Sequence, residues 1–257
     1  GWEIECGAMI GEHLGDDFDI HGGGVDLMFP HHECEIAQSE AYSGKRFVKY
    51  WLHNGFIRVD NEKMSKSLGN FFTLRDVYKK FDPQVVRYLF LQTHYRSPID
   101  FSDELLEQSA NGLMRVHDFM RRLERYEDDG GEGVDDLLKE TEKRFREGMD
   151  DDFETPVALA ACFDLIRWIN GMIDEKTLSQ AGKAATLKLV ERLDTVLGIF
   201  EATTKVDLDD EVEALIQERE KAREEKDWSR ADEIRDLLLE KGIQLEDSAG
   251  GTIWKKI

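Results

Sequence analysis

The chain has 257 residues, of which 40% are hydrophobic, so it can build one large domain or two to three small ones, and wholesale disorder is excluded. Its net charge of −21 disfavours a general nucleic-acid-binding protein, because such proteins usually carry a basic surface. The longest apolar run, residues 157–163, is too short to span a bilayer, and three cysteines are too few for a disulfide framework. We therefore expect a cytoplasmic protein with no membrane partner.

The first hundred residues predict a mixture of strands, glycine turns and helices. We expect a strand over 17–21 that breaks at the glycines 22–24, a helix from Pro30 to about 43 that stops at Gly44, and extended segments over 47–59. Pro30 suits a first helical turn, where its missing N–H costs nothing. Two further helices are expected, one from about Thr73 and one that Pro83 begins and that runs toward Gln92.

From Ser102 the sequence predicts long amphipathic helices. Ser102 is expected to cap a helix that runs to about Tyr126, and Thr155-Pro156 and Ala181 are expected to begin two more, ending near 174 and 200. The last fifty residues predict a charged helix over 209–225, a helix capped by Ser229, and two short strands over 243–245 and 252–254.

The sharpest group of chemically active residues is Cys6 with His31 and Glu35. His31 and Glu35 are four residues apart, so on a helix they share one face. A thiolate, an imidazole and a carboxylate suit zinc, and three protein ligands leave one coordination position open. The alternatives are a polar helix start with two incidental histidines, and a site that uses Cys34 in a different geometry.

Two further motifs are typical of phosphate and ligand binding. Lys63 and Lys66 stand three residues apart in Lys-Met-Ser-Lys-Ser, where two cations can meet a polyphosphate, although such pairs are also common on surfaces. His21 and Asp26 flank three glycines at the end of a predicted strand, where the backbone at Gly23 can approach a ligand closely. Trp2 suits either of two roles, lining a ligand pocket or packing in a hydrophobic core.

Taken together, these motifs resemble the cysteinyl-tRNA synthetase family of class I. The resemblance covers essentially the whole chain and rests on GWEIEC (1–6), FDIHGGG (18–24), FPHHE (29–33), KMSKSLGN (63–70), YRSPIDFS (95–102), MDDDFETP (149–156), ADEIR (231–235) and GTIW (251–254). The family activates cysteine with ATP and transfers it to tRNA.

The resemblance implies a role for each group of residues. Cys6, His31 and Glu35 would bind Zn²⁺, which holds the cysteine thiolate. Trp2, His21 and Asp26 would line the pocket for cysteine and its adenylate. Gly23 and Lys66 would bind ATP, with Mg²⁺ as its counter-ion, and Lys63 and Lys66 would act in catalysis on the phosphates.

The resemblance also implies an α/β fold, the second half of a Rossmann-like catalytic domain, followed by a helical bundle and a small α+β unit. The expected domains are the catalytic half with the zinc site over 1–56, the KMSKS loop and stem-contact region over 57–101, the helical bundle over 102–205, and an anticodon-binding unit over 206–257. The expected partner is tRNA(Cys), contacted by Arg230, Arg235 and Trp254 among others. A monomer is expected.

Two departures from the family pattern matter. The chain begins about midway along the family's sequence, so a further cysteine ligand and the phosphate-binding signature near the family's N-terminus are lacking, and we expect no activity without that half. Cys34 also stands where the family usually has Asn.

Two alternative functions stay open. One alternative is a non-catalytic remnant that binds tRNA or another partner. The other is the related cysteine ligase of mycothiol biosynthesis, which typically ends after the bundle.

Overall fold

The protein is described by a computed structural model. It describes residues 2–59, 62–64, 73–201, 215, 218–219, 221–223, 227–240, 243–248 and 251–256. These residues belong to two compact units, 1–201 and 202–257. Each unit has its own strands and helices and is treated by itself below.

The first unit begins with a small α/β layer. Helix α1 (Trp2–His13) precedes strand β1 (Phe18–Gly24), and helix α2 (Glu33–Ser43) connects β1 to strand β2 (Val48–Asn54). The two strands pair in parallel, with Phe18 opposite Val48 and Gly24 opposite Asn54. Parallel pairing requires a crossover, and α2 supplies it. Gly44, at φ 68°, ends α2 in the left-handed conformation that glycine adopts readily.

Three short strands follow the α/β layer. Strand β3 (Ile57–Val59) pairs with β4 (Glu62–Lys63) on one side, antiparallel, and with β5 (Ile99–Asp100) on the other, parallel. Between β4 and β5 lie helices α3 (Leu74–Val77) and α4 (Pro83–Leu91). The Thr73 hydroxyl caps α3, and the Asp82 carboxylate caps α4 immediately before Pro83.

The rest of the first unit is a helical bundle. It consists of α5 (Asp103–Arg125), α6 (Asp135–Asp150), α7 (Thr155–Asp174) and α8 (Gln180–Leu197), with α4 packed against α5. Hydroxyl caps at Ser102 and Ser179 begin α5 and α8. Apolar residues at helical spacing form one buried core, which includes Leu106, Leu113, Phe119, Leu123, Phe145, Leu165, Ile169, Leu193 and Leu197.

Helix α7 is the one described helix that is long and apolar enough to cross a membrane by length and composition. Its apolar residues form part of the bundle core instead. Leu159, Leu165 and Ile169 are buried there, together with Ala158, Ala161 and Cys162.

The second unit contains helix α9 (Trp228–Glu240) and an antiparallel hairpin of β6 (Ile243–Ser248) and β7 (Gly251–Lys256). Ala231, Ile234 and Leu238 are buried on one face of α9. Most of the helix predicted over 209–225 lies outside the described residues.

The α/β fold class with its helical bundle and small terminal unit is confirmed, but several local predictions are wrong. Strand β1 does not break at the glycines, because Gly22, Gly23 and Gly24 continue the parallel ladder with β2. Pro30 does not open α2; it lies in a separate turn, Met28–His32, and α2 begins at Glu33.

Helix caps and unpredicted helices account for the other corrections. The cap of α9 is Asp227, whose carboxylate accepts from the Arg230 N–H, and not Ser229. Helix α7 begins at Thr155 as predicted, yet Glu154 precedes it without a side-chain cap. Helices α1 and α6 were not predicted.

We predict that Gln84 stabilises the joint between α4 and the end of α8. Its buried amide donates to the Gly198 carbonyl at 3.0 Å and to the Glu201 carbonyl at 2.7 Å. Gln84→Ala leaves both acceptors unpaired and should lower the free energy of unfolding by about 1–3 kcal/mol. Gln108→Ala, at an exposed position, should change it by less than about 0.5 kcal/mol. Equal losses in urea unfolding would contradict this assignment.

Candidate metal centre

Three elements bring a thiol, an imidazole and a carboxylate to one point. Cys6 is on α1, His31 is in the turn before α2, and Glu35 is in the first turn of α2. Their sulfur, nitrogen and oxygen atoms all lie within 4.8 Å of one another. His31 Nε2 is 3.5 Å from Glu35 Oε1. The three residues proposed from the sequence as ligands therefore converge, and Cys34 is not part of either group of converging ligand atoms found among the described residues.

Glu35 is the buried residue of this group. It is 1% exposed, and neither of its carboxylate oxygens has a hydrogen-bond partner within the described part of the chain. Burial raises the pKa of Glu35. Burial and the negative charge of Glu35 likewise raise the pKa of the Cys6 thiol. Buried polar groups are normally hydrogen-bonded, so this carboxylate, with a thiol and two imidazoles beside it, is a candidate ligand for a metal ion.

A second set of side chains shares Glu35. His21 and His32 place ring nitrogens within 4.8 Å of it and of each other, and His21 Nε2 is 3.6 Å from Glu35 Oε2. His32 Nδ1 is 2.8 Å from His53 Nε2. Burial, followed by the neighbouring imidazoles, lowers the pKa of His32 to about 4 and also lowers that of His21. These histidines are therefore neutral near pH 7.

Trp51, on the neighbouring strand β2, packs against His21 and His32 of this cluster. The parallel register sets Trp51 opposite His21 and His53 opposite Gly23. The rings of Trp51 and His21 stack with their centres 4.7 Å apart at 19°. Trp51, His32 and His53 were not proposed as site residues. The signal that could have found Trp51 and His53 is the two-residue period of β2, which puts both on the face that carries His21.

The glycines at the end of strand β1 allow side chains to approach the backbone closely. A Cβ atom on Gly23 would lie 2.7 Å from His32 Cε1, and one on Gly24 would lie 2.5 Å from Asp26 Oδ1. Asp26 stands in the short turn Val25–Leu27 that follows the strand. Gly23 thus lets the His32 ring pack against the strand, and its ATP-binding role stays a prediction.

The other proposed site residues are only partly described. Trp2 begins α1 and Lys63 ends β4, but their side chains lie outside the described residues, as does the whole of Lys66. Trp254 lies on β7 with its side chain likewise outside. Arg230 contacts Glu218 and Glu233, and Arg235 contacts Asp232 and Asp236, so carboxylates already pair both arginines.

Three family models match successive parts of the sequence. The "tRNA synthetases class I (C) catalytic domain" matches residues 1–111. The "DALR domain" matches 144–201, and the "Cysteinyl-tRNA ligase anticodon binding domain" matches 205–254.

Curated relatives named cysteine–tRNA ligase match the whole chain. The Geobacter sulfurreducens protein is 46% identical over 276 residues, which cover 99% of this chain and 57% of the relative. The Thioalkalivibrio sulfidiphilus protein is 48% identical over 266 residues, covering 100% of this chain and 56% of the relative. The chain thus spans a little over half the length of these relatives.

A solved structure shares the fold. It is the ternary complex of Agrobacterium radiobacter K84 agnB2 LeuRS with tRNA and LeuAMS, matched with a TM-score of 0.56 and 20% identity over 71% of this chain and 26% of that chain. The catalytic-domain match places residues 1–111 in the class I aminoacyl-tRNA synthetases, and the solved structure shares their fold. With the match of residues 205–254 to the cysteinyl-tRNA ligase anticodon-binding model and with these curated relatives, the chain belongs to the cysteinyl-tRNA synthetase family.

We predict that Gly23 is required for the packing of the histidine cluster. Gly23→Ala should lower the free energy of unfolding by about 1–3 kcal/mol, because its methyl group overlaps the buried His32 ring. Gly22→Ala is the matched control, since its Cβ would make an ordinary contact 3.5 Å from the Leu52 carbonyl, and it should stay within about 1 kcal/mol of wild type. Urea unfolding that ranks the two variants in the reverse order would contradict this packing.

Proposed function

We propose that this chain takes part in the ATP-dependent activation of cysteine and its transfer to tRNA(Cys), with a zinc ion held by Cys6, His31 and Glu35. The observation that carries the proposal is the buried carboxylate of Glu35 facing a thiol and an imidazole. The cysteine–tRNA ligase names of the relatives support the same reaction.

The residues present fit zinc. Thiolate, imidazole and carboxylate are its usual ligands in proteins, and three of them leave a position for a further ligand. A bound zinc would take the thiolate of cysteine far more readily than the hydroxyl of serine, which a pocket of the right shape alone could not reject. A divalent cation would also favour the ionised forms of Cys6 and Glu35, which burial disfavours in its absence.

The chain's own side chains would build the pocket around the substrate. Neutral His21 and the Trp51 ring stacked on it would line one side of the pocket and exclude water from the thiol of the bound cysteine. Asp26 stands after the carboxyl end of β1, the edge where ligands bind in α/β sheets, and its carboxylate would hold the amino group of cysteine. Trp2 would complete the pocket.

The phosphates of ATP would be held by the backbone at Gly23 and by Lys63 and Lys66. Lys63 lies on β4, at the start of the lysine motif. Two cations placed on the transferring phosphates would stabilise the charge that develops as pyrophosphate leaves. Mg²⁺ would accompany the nucleotide.

Contact with tRNA is proposed for the helical bundle and for the terminal unit, with Arg230, Arg235 and Trp254. The DALR and anticodon-binding matches support this assignment, and aromatic stacking on unpaired bases is the usual recognition of single-stranded RNA. The match over 205–254 also favours tRNA over an amino-sugar acceptor. The domain boundaries at 56, 101 and 205 are part of the same proposal.

We predict that the chain binds one zinc ion and that Cys6→Ala lowers its zinc affinity more than about 100-fold, because a ligand costs at least as much as its outer-shell partners. Cys34→Ala is the control: Cys34 is half-buried on the same helix as Glu35 but outside both groups of converging ligand atoms, so zinc affinity should be unchanged. Competition with a chromophoric chelator under reducing conditions measures both. Equal losses in the two variants would contradict the ligand set.

The reaction itself is tested by cysteine-dependent ATP–pyrophosphate exchange. The chain is assayed alone and mixed with the upstream part of the Geobacter sulfurreducens relative. We expect exchange in the mixture with cysteine and none with serine. A folded, zinc-loaded mixture without cysteine-dependent exchange would overturn the catalytic proposal and leave a binding protein.

A further inference from the structure

A second cluster of interacting side chains lies at the corner between α6 and α7, away from the metal centre. Asp152 occupies that corner. Its carboxylate accepts a hydrogen bond from the Tyr95 hydroxyl at 2.8 Å and lies 2.6 Å from Arg96 Nε. Its backbone carbonyl accepts from His94 Nε2 at 2.9 Å. Three consecutive residues, His94 to Arg96, therefore bind one residue of the bundle corner through both its main chain and its side chain.

The backbone of the corner adopts a conformation that is unfavourable for residues other than glycine. Asp152 and Phe153 have φ values of 54° and 60°, in the left-handed region that favours glycine. The Glu154 N–H closes the corner by donating to the Gly148 carbonyl at 2.9 Å. The Phe153 ring meets the Tyr95 ring edge-on, with centres 6.4 Å apart. Asp152 and Phe153, the two residues with this unfavourable backbone conformation, are thus the two that contact Tyr95.

The segment after Tyr95 is in turn attached to the β-strands. The Tyr95 carbonyl accepts from the Gly55 N–H at 2.7 Å. The chains cross so closely that a Cβ atom on Gly55 would lie 2.2 Å from the Ser97 carbonyl oxygen. Gly55 directly follows β2, so the Asp152 contacts reach the end of that strand through a single residue, Tyr95.

From Gly55 the attachment continues to the lysine motif. The Ile99 N–H donates to the Phe56 carbonyl at 3.0 Å, and the Phe101 N–H donates to the Arg58 carbonyl at 2.8 Å. These bonds hold β3 along its length. Strand β3 pairs with β4, where Arg58 is opposite Lys63, the first residue of the lysine motif.

We propose that Asp152 is a positioning residue that couples the α6–α7 corner of the bundle to the start of the lysine motif, through the segment of residues 94–97 and strand β3. The part of the proposal that concerns catalysis rests on the proposed function. Asp152 sets where β3 and β4 stand relative to the bundle, and a displacement of about 1 Å in a phosphate-binding group can cost on the order of 100-fold in rate.

The coupling is tested first by hydrogen exchange in the 257-residue chain. Asp152→Ala should accelerate exchange of the Gly55, Ile99 and Phe101 amides by at least about tenfold, because these bonds lose their attachment to the corner. Asp152→Asn keeps an acceptor for Tyr95 and tolerates positive φ, so it should restore most of the protection. Asp151→Ala, at the exposed neighbouring position, is the matched control and should leave all three amides unchanged.

The second readout is ATP–pyrophosphate exchange in the mixture described above. Asp152→Ala should lower kcat about tenfold or more and leave the KM for cysteine within about twofold, because the proposed ligands Cys6, His31 and Glu35 lie on α1, on α2 and in the turn before α2. Equal melting temperatures exclude a general loss of folded protein, and an unchanged KM for cysteine then separates positioning of the lysine motif from damage to the cysteine site.

The outcomes separate the two proposals. Unchanged amide exchange in Asp152→Ala overturns the coupling. Accelerated exchange with an unchanged kcat overturns the positioning role. If the wild-type mixture has no activity while the amides of Asp152→Ala exchange faster, the proposed function fails and the coupling between corner and β3 is supported.

Discussion

The first unit places a buried carboxylate, that of Glu35, beside one thiol and two imidazoles. Glu35 is buried, its oxygens lack hydrogen-bond partners in the described structure, and the histidine that stacks on Trp51 beside it is held neutral by burial. An isolated buried charge is among the most expensive arrangements in a protein. A cation bound between Cys6, His31 and Glu35, as proposed, would favour the ionised carboxylate that burial disfavours.

The neighbouring elements each satisfy a requirement of this centre. The turn before α2 sets His31 one helical turn from Glu35, and α1 brings the thiol. The parallel register of β1 and β2 places Trp51 against His21. Gly23 leaves the space that His32 needs. The Asp152 corner belongs to a different part of the unit and acts on the strands that lead to the lysine motif.

Local rules were sufficient where one stretch of sequence contains the whole signal. The i, i+4 spacing of His31 and Glu35, the serine cap at Ser102 and the glycine stop at Gly44 all depend on neighbours in sequence. The convergence of Cys6 with them depends on how α1 packs on α2, so the sequence could only offer it as one of several alternatives.

The wrong or missing predictions have physical causes that cannot be seen in a single sequence. Helix α6 buries Thr141 and Gly148 on its inner face, which dilutes the apolar stripe that would have predicted it. Glycines usually end a strand, but those of β1 continue the ladder with β2, and the close approach of His32 requires the glycine at position 23. The Asp152 cluster joins residues more than fifty positions apart, a contact that only the fold creates.

The most direct test of the central claim is X-ray absorption at the zinc edge of the metal-loaded chain, before and after addition of cysteine. The account predicts one sulfur neighbour at about 2.3 Å with nitrogen and oxygen neighbours at about 2.0–2.1 Å, and a second sulfur when cysteine binds. A shell of nitrogen and oxygen alone that does not change with cysteine would contradict it.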